Sequence, residues 1–378
     1  MRGFCMGVEV SVILPTMNEE KAVEKVIPQI KETLAQMGVT YEIIVVDKSN
    51  DKTPEIARNL GAKVIRQKGK GYGDAYLEGF KVAKGKYIVM MDPDGSYDPK
   101  EIPKLLEILR KEAADFVIGS RLKGKIEPGA MPWLHRYIGN PLLTKILNFL
   151  FKIKVSDAHS GFRAIKRDAL QKLTLKCRGM EFASEMIIEA AKAGLKIAEV
   201  PITYHPRIGE SKLHSFKDGW RHLRLMLLYS PLYLFLIPGL FLILIGSVFL
   251  IYGSNTEPLR AHLMILGSLL IIVGFQIINF GISGKVYAVK EGFDKPNKIS
   301  RFFMRYSILE EGLILGTVLF ILGFILGLRI FLKWRAIGYG ELFEVRSAII
   351  VLTLMALSIQ LIFFSFFISF LMLKDNSK

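Results

Sequence analysis

Cysteine is nearly absent: the 378 residues hold two, Cys5 and Cys177. Two isolated thiols exclude a disulfide scaffold, and neither has the neighbours of a metal knuckle. Acidic residues are in deficit too, 35 against 51 Lys and Arg, a formal charge of +16. That balance suits an anionic partner, whether nucleic acid, a membrane surface or a phosphorylated substrate. Internal repeats are missing from the first 230 residues, and low-complexity segments are missing too. Disorder is excluded, because 25 Phe and a hydrophobic content of 51% leave ample surface to bury. The first nine residues carry Glu9 and no apolar run long enough for a signal-peptide core.

What is present in excess is apolar length in the last third. Four stretches, about 232–252, 263–282, 309–332 and 348–373, each approach or exceed the roughly 20 residues that cross a bilayer. Four in succession with uncharged centres read as membrane helices, so the chain divides into residues 1–230 and a transmembrane part, 231–378. The segment between the second and third stretches holds six basic residues: Lys285, Lys290, Lys295, Lys298, Arg301 and Arg305. The segment before it holds only Arg260, and 333–346 holds three. The positive-inside bias then puts the six-residue segment, both termini and residues 1–230 in the cytoplasm of a multi-pass cell-membrane protein. Gly267, Gly274 and Gly281 recur every seven residues along one helix face, and Gly316 is equally small. Such residues suit close helix contacts, inside the chain or between copies in a homo-oligomer.

Residues 1–230 alternate short apolar runs with helical periodicity. Strands are expected at Val10–Leu14, Glu42–Val46, Lys63–Ile65, Tyr87–Met91 and Asp115–Ile118. Helices are expected at about Glu19–Met37, Pro54–Leu60, Gly73–Ala83 and Pro99–Lys111. This order indicates βαβ units and a mostly parallel sheet. Charge is uneven: residues 1–118 are net zero, whereas 119–230 carry +11 beside the membrane segments. A bilayer anion fits that placement. Nucleic acid does not, since no basic helix interleaved with stacking aromatics stands apart from the membrane part.

Four motifs follow strand ends, where parallel α/β sheets bind ligands. Asp92-Pro93-Asp94-Gly95-Ser96 offers two carboxylates one residue apart, hard donors for Mg²⁺ or Mn²⁺ and through it a diphosphate. The plainer reading is an Asx turn and a helix cap. Pro15-Thr16-Met17-Asn18-Glu19 follows the first strand. Asp47-Lys48-Ser49-Asn50-Asp51 follows the second and places an acid where a base or ribose is bound in nucleotide folds. Asn18 and Asp51 also fit helix N-capping. Lys68-Gly69-Lys70-Gly71-Tyr72-Gly73 opens a helix and is expected to cradle phosphate through its amides, with Lys70 and Gly71 on the nucleotide. It fails as a dinucleotide fingerprint because the third glycine of that spacing is missing and the loop follows the third strand.

Together these motifs resemble the inverting family 2 glycosyltransferases with the GT-A fold, an α/β, Rossmann-like domain with a mostly parallel sheet. The resemblance implies Pro15, Asn18, Glu19 and Asp47 on the nucleotide, and Asp92 and Asp94 as the D-x-D that holds Mn²⁺ or Mg²⁺. Lys48 stands where another acid is often found.

Further on, Gly119-Ser120-Arg121, Trp133 to Asn140, Asp157-Ala158-His159-Ser160-Gly161-Phe162-Arg163 and Arg207 to Lys212 follow in order. This series is similar to the polyprenyl-phosphate glycosyltransferases, such as dolichyl-phosphate mannose and glucose synthases. That resemblance spans residues 8 to about 230 and implies transfer of one sugar from a nucleotide-diphosphate sugar to dolichyl or polyprenyl phosphate. It implies Arg121, Arg136 and Asn140 on the lipid phosphate, Arg207 and Lys212 on the diphosphate, and Asp94, Arg121 and Arg136 as catalytic groups. Arginine forks and a mobile lysine match phosphate oxygens, and cations offset the repulsion of two approaching anions. No carboxylate–His pair is evident; Glu181 and Glu185 read as sugar contacts or helix-start acids. UDP-glucose, another UDP-sugar or GDP-mannose all fit, with a lean to a UDP-sugar. Amphipathic stretches at 132–151 and 215–229 read as interfacial helices. A processive polysaccharide synthase is disfavoured, since Trp220-Arg221-His222 lacks the Gln-x-x-Arg-Trp signature. A non-catalytic lipid-carrier sensor is disfavoured by the intact D-x-D.

Overall fold

The computed structural model describes residues 7–209, 215–256, 260–292 and 294–373. The chain forms two compact units that meet between Met226 and Leu227. Lys212, the second expected diphosphate contact, and Cys5 lie outside the described residues.

The first unit is built on one seven-stranded sheet in the order β3-β2-β1-β4-β6-β5-β7. Its strands are β1 (Val10–Thr16), β2 (Tyr41–Asp47), β3 (Lys63–Arg66), β4 (Tyr87–Met90), β5 (Phe116–Ile126), β6 (Arg163–Lys166) and β7 (Ile197–Tyr204). All neighbours are parallel except β6, which runs antiparallel to both β4 and β5. The five expected strands are present; β6 and β7 were not anticipated. β6 offers only Ala164 and Ile165 between Arg163 and Lys166, and β7 contains Glu199 and Pro201, so neither shows a strand pattern. β5 continues eight residues past Ile118, and its pairing with β7 shifts between Ser120 and Lys125. Arg121 sits inside that irregularity.

Both sheet faces are covered, which is why β1, β2 and β4 are almost continuously apolar. Val10, Val12 and Leu14 join Ile43, Val45 and Val89 in one core with Val23, Val26, Ile27, Ile30 and Leu34. The last five lie on α1 (Glu20–Gln36), whose apolar positions recur every three or four residues and are buried. On the other face α3 (Tyr72–Val82) approaches so closely that a Cβ at Gly79 would stand 2.7 Å from Ile13 Cγ2. α2 (Thr53–Asn59), α4 (Ile102–Arg110), α5 (Asn140–Phe151), α6 (Arg167–Leu170), α7 (Phe182–Lys192) and α8 (Ser215–Leu228) complete the helices before the membrane segments. The stretch 132–151 begins with a π-type turn at His135–Gly139 and continues as α5. Trp133, Tyr137, Leu142 and Phe149 on it are exposed, as are Phe216 and Trp220 on α8.

The second unit contains four helices long and apolar enough to span a bilayer: α9 (Pro231–Ser254), α10 (Ala261–Lys290), α12 (Ile308–Ala336) and α13 (Val345–Met372). A short helix, α11 (Lys298–Phe303), joins α10 to α12. α10 runs eight residues beyond the expected end at Ile282. Lys285 lies within it, buried and ion-paired with Asp294, so the charge that suggested a loop is neutralised. The heptad-spaced glycines of α10 have a partner. Gly267 meets the Gly246 carbonyl, Gly274 the Gly239 carbonyl and Gly281 the Phe235 side chain, all on α9. Any Cβ there would force the two backbones apart.

Candidate active site

β1 and β4 are neighbours although β2 and β3 lie between them in the chain, and their carboxyl ends flank the point where strand order reverses. Asp92 follows β4 there. Its Oδ1 accepts a hydrogen bond from the Tyr72 hydroxyl at 2.9 Å. Burial, and next the carboxylate of Asp94, push its pKa up to about 7, against the pull of Tyr72, Arg121 and Arg207. A Cβ at Gly161 would collide with Asp92 Oδ2, so glycine keeps that oxygen's surroundings open. Asp94 accepts from the Ser96 amide at 3.0 Å and from the Ser96 hydroxyl, and its Oδ2 lies 3.4 Å from Arg207 Nη2. Arg207 is held nearby because the Ile208 amide donates to the Asp94 carbonyl at 2.7 Å and the His205 amide to Ser96 O at 2.9 Å. The capping reading applies at Asp98, which accepts from the Lys100 amide, and not at Asp92.

Two crowded carboxylates, with the proton affinity of Asp92 raised, are a donor set that a divalent cation relieves. Among the described residues no cluster of three or more His, Cys, Asp or Glu could hold a metal ion. The pair therefore suits Mg²⁺ or Mn²⁺ completed by substrate phosphates and water, the usual arrangement for such ions.

Around the β1 and β2 ends, Asp47 is fully buried. It accepts from the Thr16 hydroxyl at 2.9 Å, the Ser49 amide at 3.2 Å and Arg66 Nη1 at 3.0 Å. Arg66 carried no motif and was not anticipated; it also donates to the Ser49 carbonyl at 2.6 Å. Pro15 lies in β1 opposite Val46. Asn18 adopts φ 54° and ties two loops: its amide donates to Ser49 Oγ at 2.7 Å, and its Oδ1 accepts from the Asn50 amide at 2.9 Å. It is thus no helix cap. Asp51 accepts from the Thr53 amide at the start of α2, but the cap position itself is Lys52, so Asp51 is no helix cap either. Glu19 Oε1 lies 3.6 Å from Arg207 Nη2.

The Gly-rich turn is tied to the helix that follows it. Its amides face carboxylates of α3: Lys68 and Gly69 donate to Glu78, and Lys70 and Gly71 to Asp74 Oδ2 at 2.9 and 3.1 Å. These amides are therefore engaged within the protein, and the Lys68 and Lys70 side chains are exposed. Glycine is needed at 71 and 73 because a Cβ would strike the carbonyls of Arg178 and Cys177. Lys48 Nζ donates to the Gly69 carbonyl at 2.7 Å.

Arg121 is buried and clamped by Asp157, Nε to Oδ2 at 2.7 Å and Nη2 to Oδ1 at 2.8 Å, with the Tyr204 ring 5.2 Å away. Burial works to raise the Asp157 pKa, but Arg121 and the amides of Arg121 and His159 hold it below the ordinary carboxylate value. Glu199 of β7 accepts from the amides of Ser156 and Asp157 and fixes this loop. Arg136 lies in the π-type turn with its guanidinium 5.2 Å from the Tyr137 ring. Asn140 Nδ2 is 3.6 Å from Met131 Sδ. No contact joins Arg136 or Asn140 to the two aspartates among the described residues. Glu185 is fully buried and accepts from the amides of Lys176 and Cys177, so it organises the 176–181 segment. Arg163, inconspicuous in sequence, donates to the carbonyls of Ser160, Ala183 and Ala158 from a buried position.

This sheet with a D-x-D at the carboxyl end of β4 is the GT-A fold of nucleotide-sugar glycosyltransferases. Residues 11–174 match glycosyl transferase family 2, and 282–372 match the glycosyltransferase family 2 C-terminal transmembrane region. The chain is 43% identical to the low-salt glycan biosynthesis hexosyltransferase Agl6 of Haloferax volcanii, over 94% of this chain and 87% of that protein. It is 35% identical to the dolichyl-phosphate hexose transferase of the same organism, over 56% of this chain and 89% of that one. A crystal structure of a mycobacterial protein shares the fold, with a TM-score of 0.50 and 20% identity over 59% of this chain and 75% of that one. The chain belongs to glycosyl transferase family 2 and is a membrane-embedded glycosyltransferase.

Proposed function

We propose that the enzyme transfers a single hexose, with inversion, from a nucleotide-diphosphate sugar to dolichyl or another polyprenyl phosphate. The observation that carries this reading is the crowded Asp92–Asp94 pair with Arg207 beside it, at the carboxyl ends of parallel strands. The likeness to a protein named a dolichyl-phosphate hexose transferase supports the acceptor. Asp92 and Asp94 would hold Mg²⁺ or Mn²⁺, which supplies charge neutralisation of the leaving diphosphate. Asn18, Glu19 and Asp47 would line the nucleotide seat, with Arg207 and Lys212 on the diphosphate. Arg121 and Arg136, with Asn140, would draw the lipid phosphate in; Asp157 fixes the Arg121 fork so that its remaining donors are preorganised. The attacking phosphate is ionised at neutral pH, so no strong base is required. A UDP-sugar is the preferred donor, ahead of GDP-mannose. Residues 1–230 and both termini would lie in the cytoplasm, with α5 and α8 in the headgroup layer.

The test is transfer from radiolabelled nucleotide sugars to short polyprenyl phosphates, with Mn²⁺ or Mg²⁺ and with chelator. One chelator-sensitive donor giving a single-sugar lipid product is the expected result. Failure of every donor to give lipid-linked sugar would overturn the reading.

A further inference from the structure

α12 and α13 pack closely through small residues along much of their length. Gly316 faces Ile362, Gly323 faces Met355, and a Cβ at Gly327 would stand 3.3 Å from Val351 Cγ1. Beyond Gly327 the pair lines an open cavity of about 260 Å³. Its apolar lining is Leu326, Ile330 and Ile350. Its rim is polar, and most of that rim is self-satisfied. Lys333 Nζ lies 2.5 Å from Glu344 Oε1, and the Ser347 hydroxyl donates to Glu344 Oε2 at 2.9 Å. Arg329 takes no part in this and has no hydrogen-bond or ion-pair partner among the described residues.

Depth identifies the chemistry of the missing partner. α12 has 29 residues, about 43 Å at 1.5 Å per residue, against roughly 30 Å of hydrocarbon. Arg329 precedes the helix end at Ala336 by about two turns, or roughly 10 Å, the level at which hydrocarbon gives way to headgroups. Interfacial aromatics follow further along, at Trp334 in the last turn of the helix and Tyr339 past its end. Trp334 and Tyr339 meet edge to face at 4.9 Å, and Trp334 Nε1 donates to the Gly340 carbonyl at 3.0 Å. An unpaired guanidinium at this depth is costly unless an anion meets it, and its fork matches phosphate oxygens. The apolar wall beside it matches a hydrocarbon chain.

We propose that this cavity seats one phosphate-bearing anionic lipid of the bilayer, with Arg329 on the phosphate and Leu326, Ile330 and Ile350 along the chain. The charge of the seat and its apolar wall are both required, so neither a free anion nor an uncharged lipid should fill it. The test uses the full-length protein in detergent, with thermal melting and native mass spectrometry as readouts. Phosphatidylglycerol should raise the melting temperature and remain bound; diacylglycerol and inorganic phosphate should do neither. Arg329→Gln should lower phosphatidylglycerol occupancy by about tenfold or more, the effect of losing one charge-assisted hydrogen-bonding group. Arg335→Gln, outside the cavity on the same helix end, should leave it unchanged. Ile350→Trp, which fills the cavity and leaves every charge in place, should abolish the shift even if Arg329→Gln proves unstable. Retained lipid binding in Arg329→Gln or Ile350→Trp, equal protection by inorganic phosphate, or equal loss in Arg335→Gln would each overturn the proposal.

Discussion

Arg207 places Nη2 3.4 Å from Asp94 Oδ2 and 3.6 Å from Glu19 Oε1, so one guanidinium bridges the acid after β1 and the second acid of the D-x-D. The arginine therefore has two competing partners, these carboxylates and the diphosphate it is proposed to meet. Arg207→Gln should weaken donor binding by about 10- to 100-fold, the range for hydrogen bonds to charged groups. The same change should tighten binding of Mn²⁺ alone, because a competing cation has left the carboxylates. Electron paramagnetic resonance of free Mn²⁺ reads the second effect without any turnover, and weaker Mn²⁺ binding in the variant would count against this account.

Asp94→Ala should reduce transfer at least about 100-fold, as expected when a preorganised charge at the reacting diphosphate is lost. Far-UV circular dichroism should be unchanged, since Asp94 anchors only a local turn through Ser96. Chelation of the wild type should reproduce the loss, and added Mn²⁺ should restore it. Full activity in the variant would remove Asp94 from the metal site.

Asp157→Ala leaves the buried Arg121 charge without its carboxylate. Breaking such a pair from one side costs about 3–5 kcal/mol. Thermal melting should show a clear loss of stability, and KM for the lipid phosphate should rise more than KM for the nucleotide sugar. Equal effects on both substrates would contradict a link between Asp157 and the acceptor through Arg121.

His222 and His159 stack edge to face at 4.5 Å, and both approach Ser184 Oγ, at 2.8 and 3.4 Å. Burial lowers the His222 pKa from 6.5 to about 4. Burial, then the neighbouring His222, Arg121 and Arg163, hold His159 well below its ordinary value. The unfolded chain thus binds more protons than the folded one between pH 6.5 and about 4, so stability falls as pH drops through that window. Melting temperature should decline with acidification over this range, and His222→Gln should flatten the decline. An identical slope in the variant would exclude His222 as a contributor.

The D-x-D was legible because a strand, a turn and two acids are contiguous in the chain. So were β1 to β5 and the membrane helices, whose patterns are local. What escaped was contact between distant segments. Arg66 gains its meaning from Asp47, and the glycines at 71 and 73 gain theirs from Cys177 and Arg178. The turn at 68–73 looked like a phosphate loop because its composition is that of one; Asp74 and Glu78 on the following helix decide where the amides point. β6 was invisible for a similar reason, since a four-residue strand between two basic residues is defined by its neighbours.

That reversed strand has a consequence for how such an enzyme can diversify. Because β6 is antiparallel to β5, the chain leaves the sheet after Ile126 and re-enters at Arg163 at the same end of the sheet. Everything between, including Arg136, α5 and Asp157, is one excursion with both stems side by side, and Arg121 lies on the β5 stem. Such a cassette can lengthen, shorten or be exchanged without rethreading the strands that carry Asp47 and Asp92. Under the proposed roles, the acceptor half of the reaction can therefore change partners while the donor half keeps its geometry.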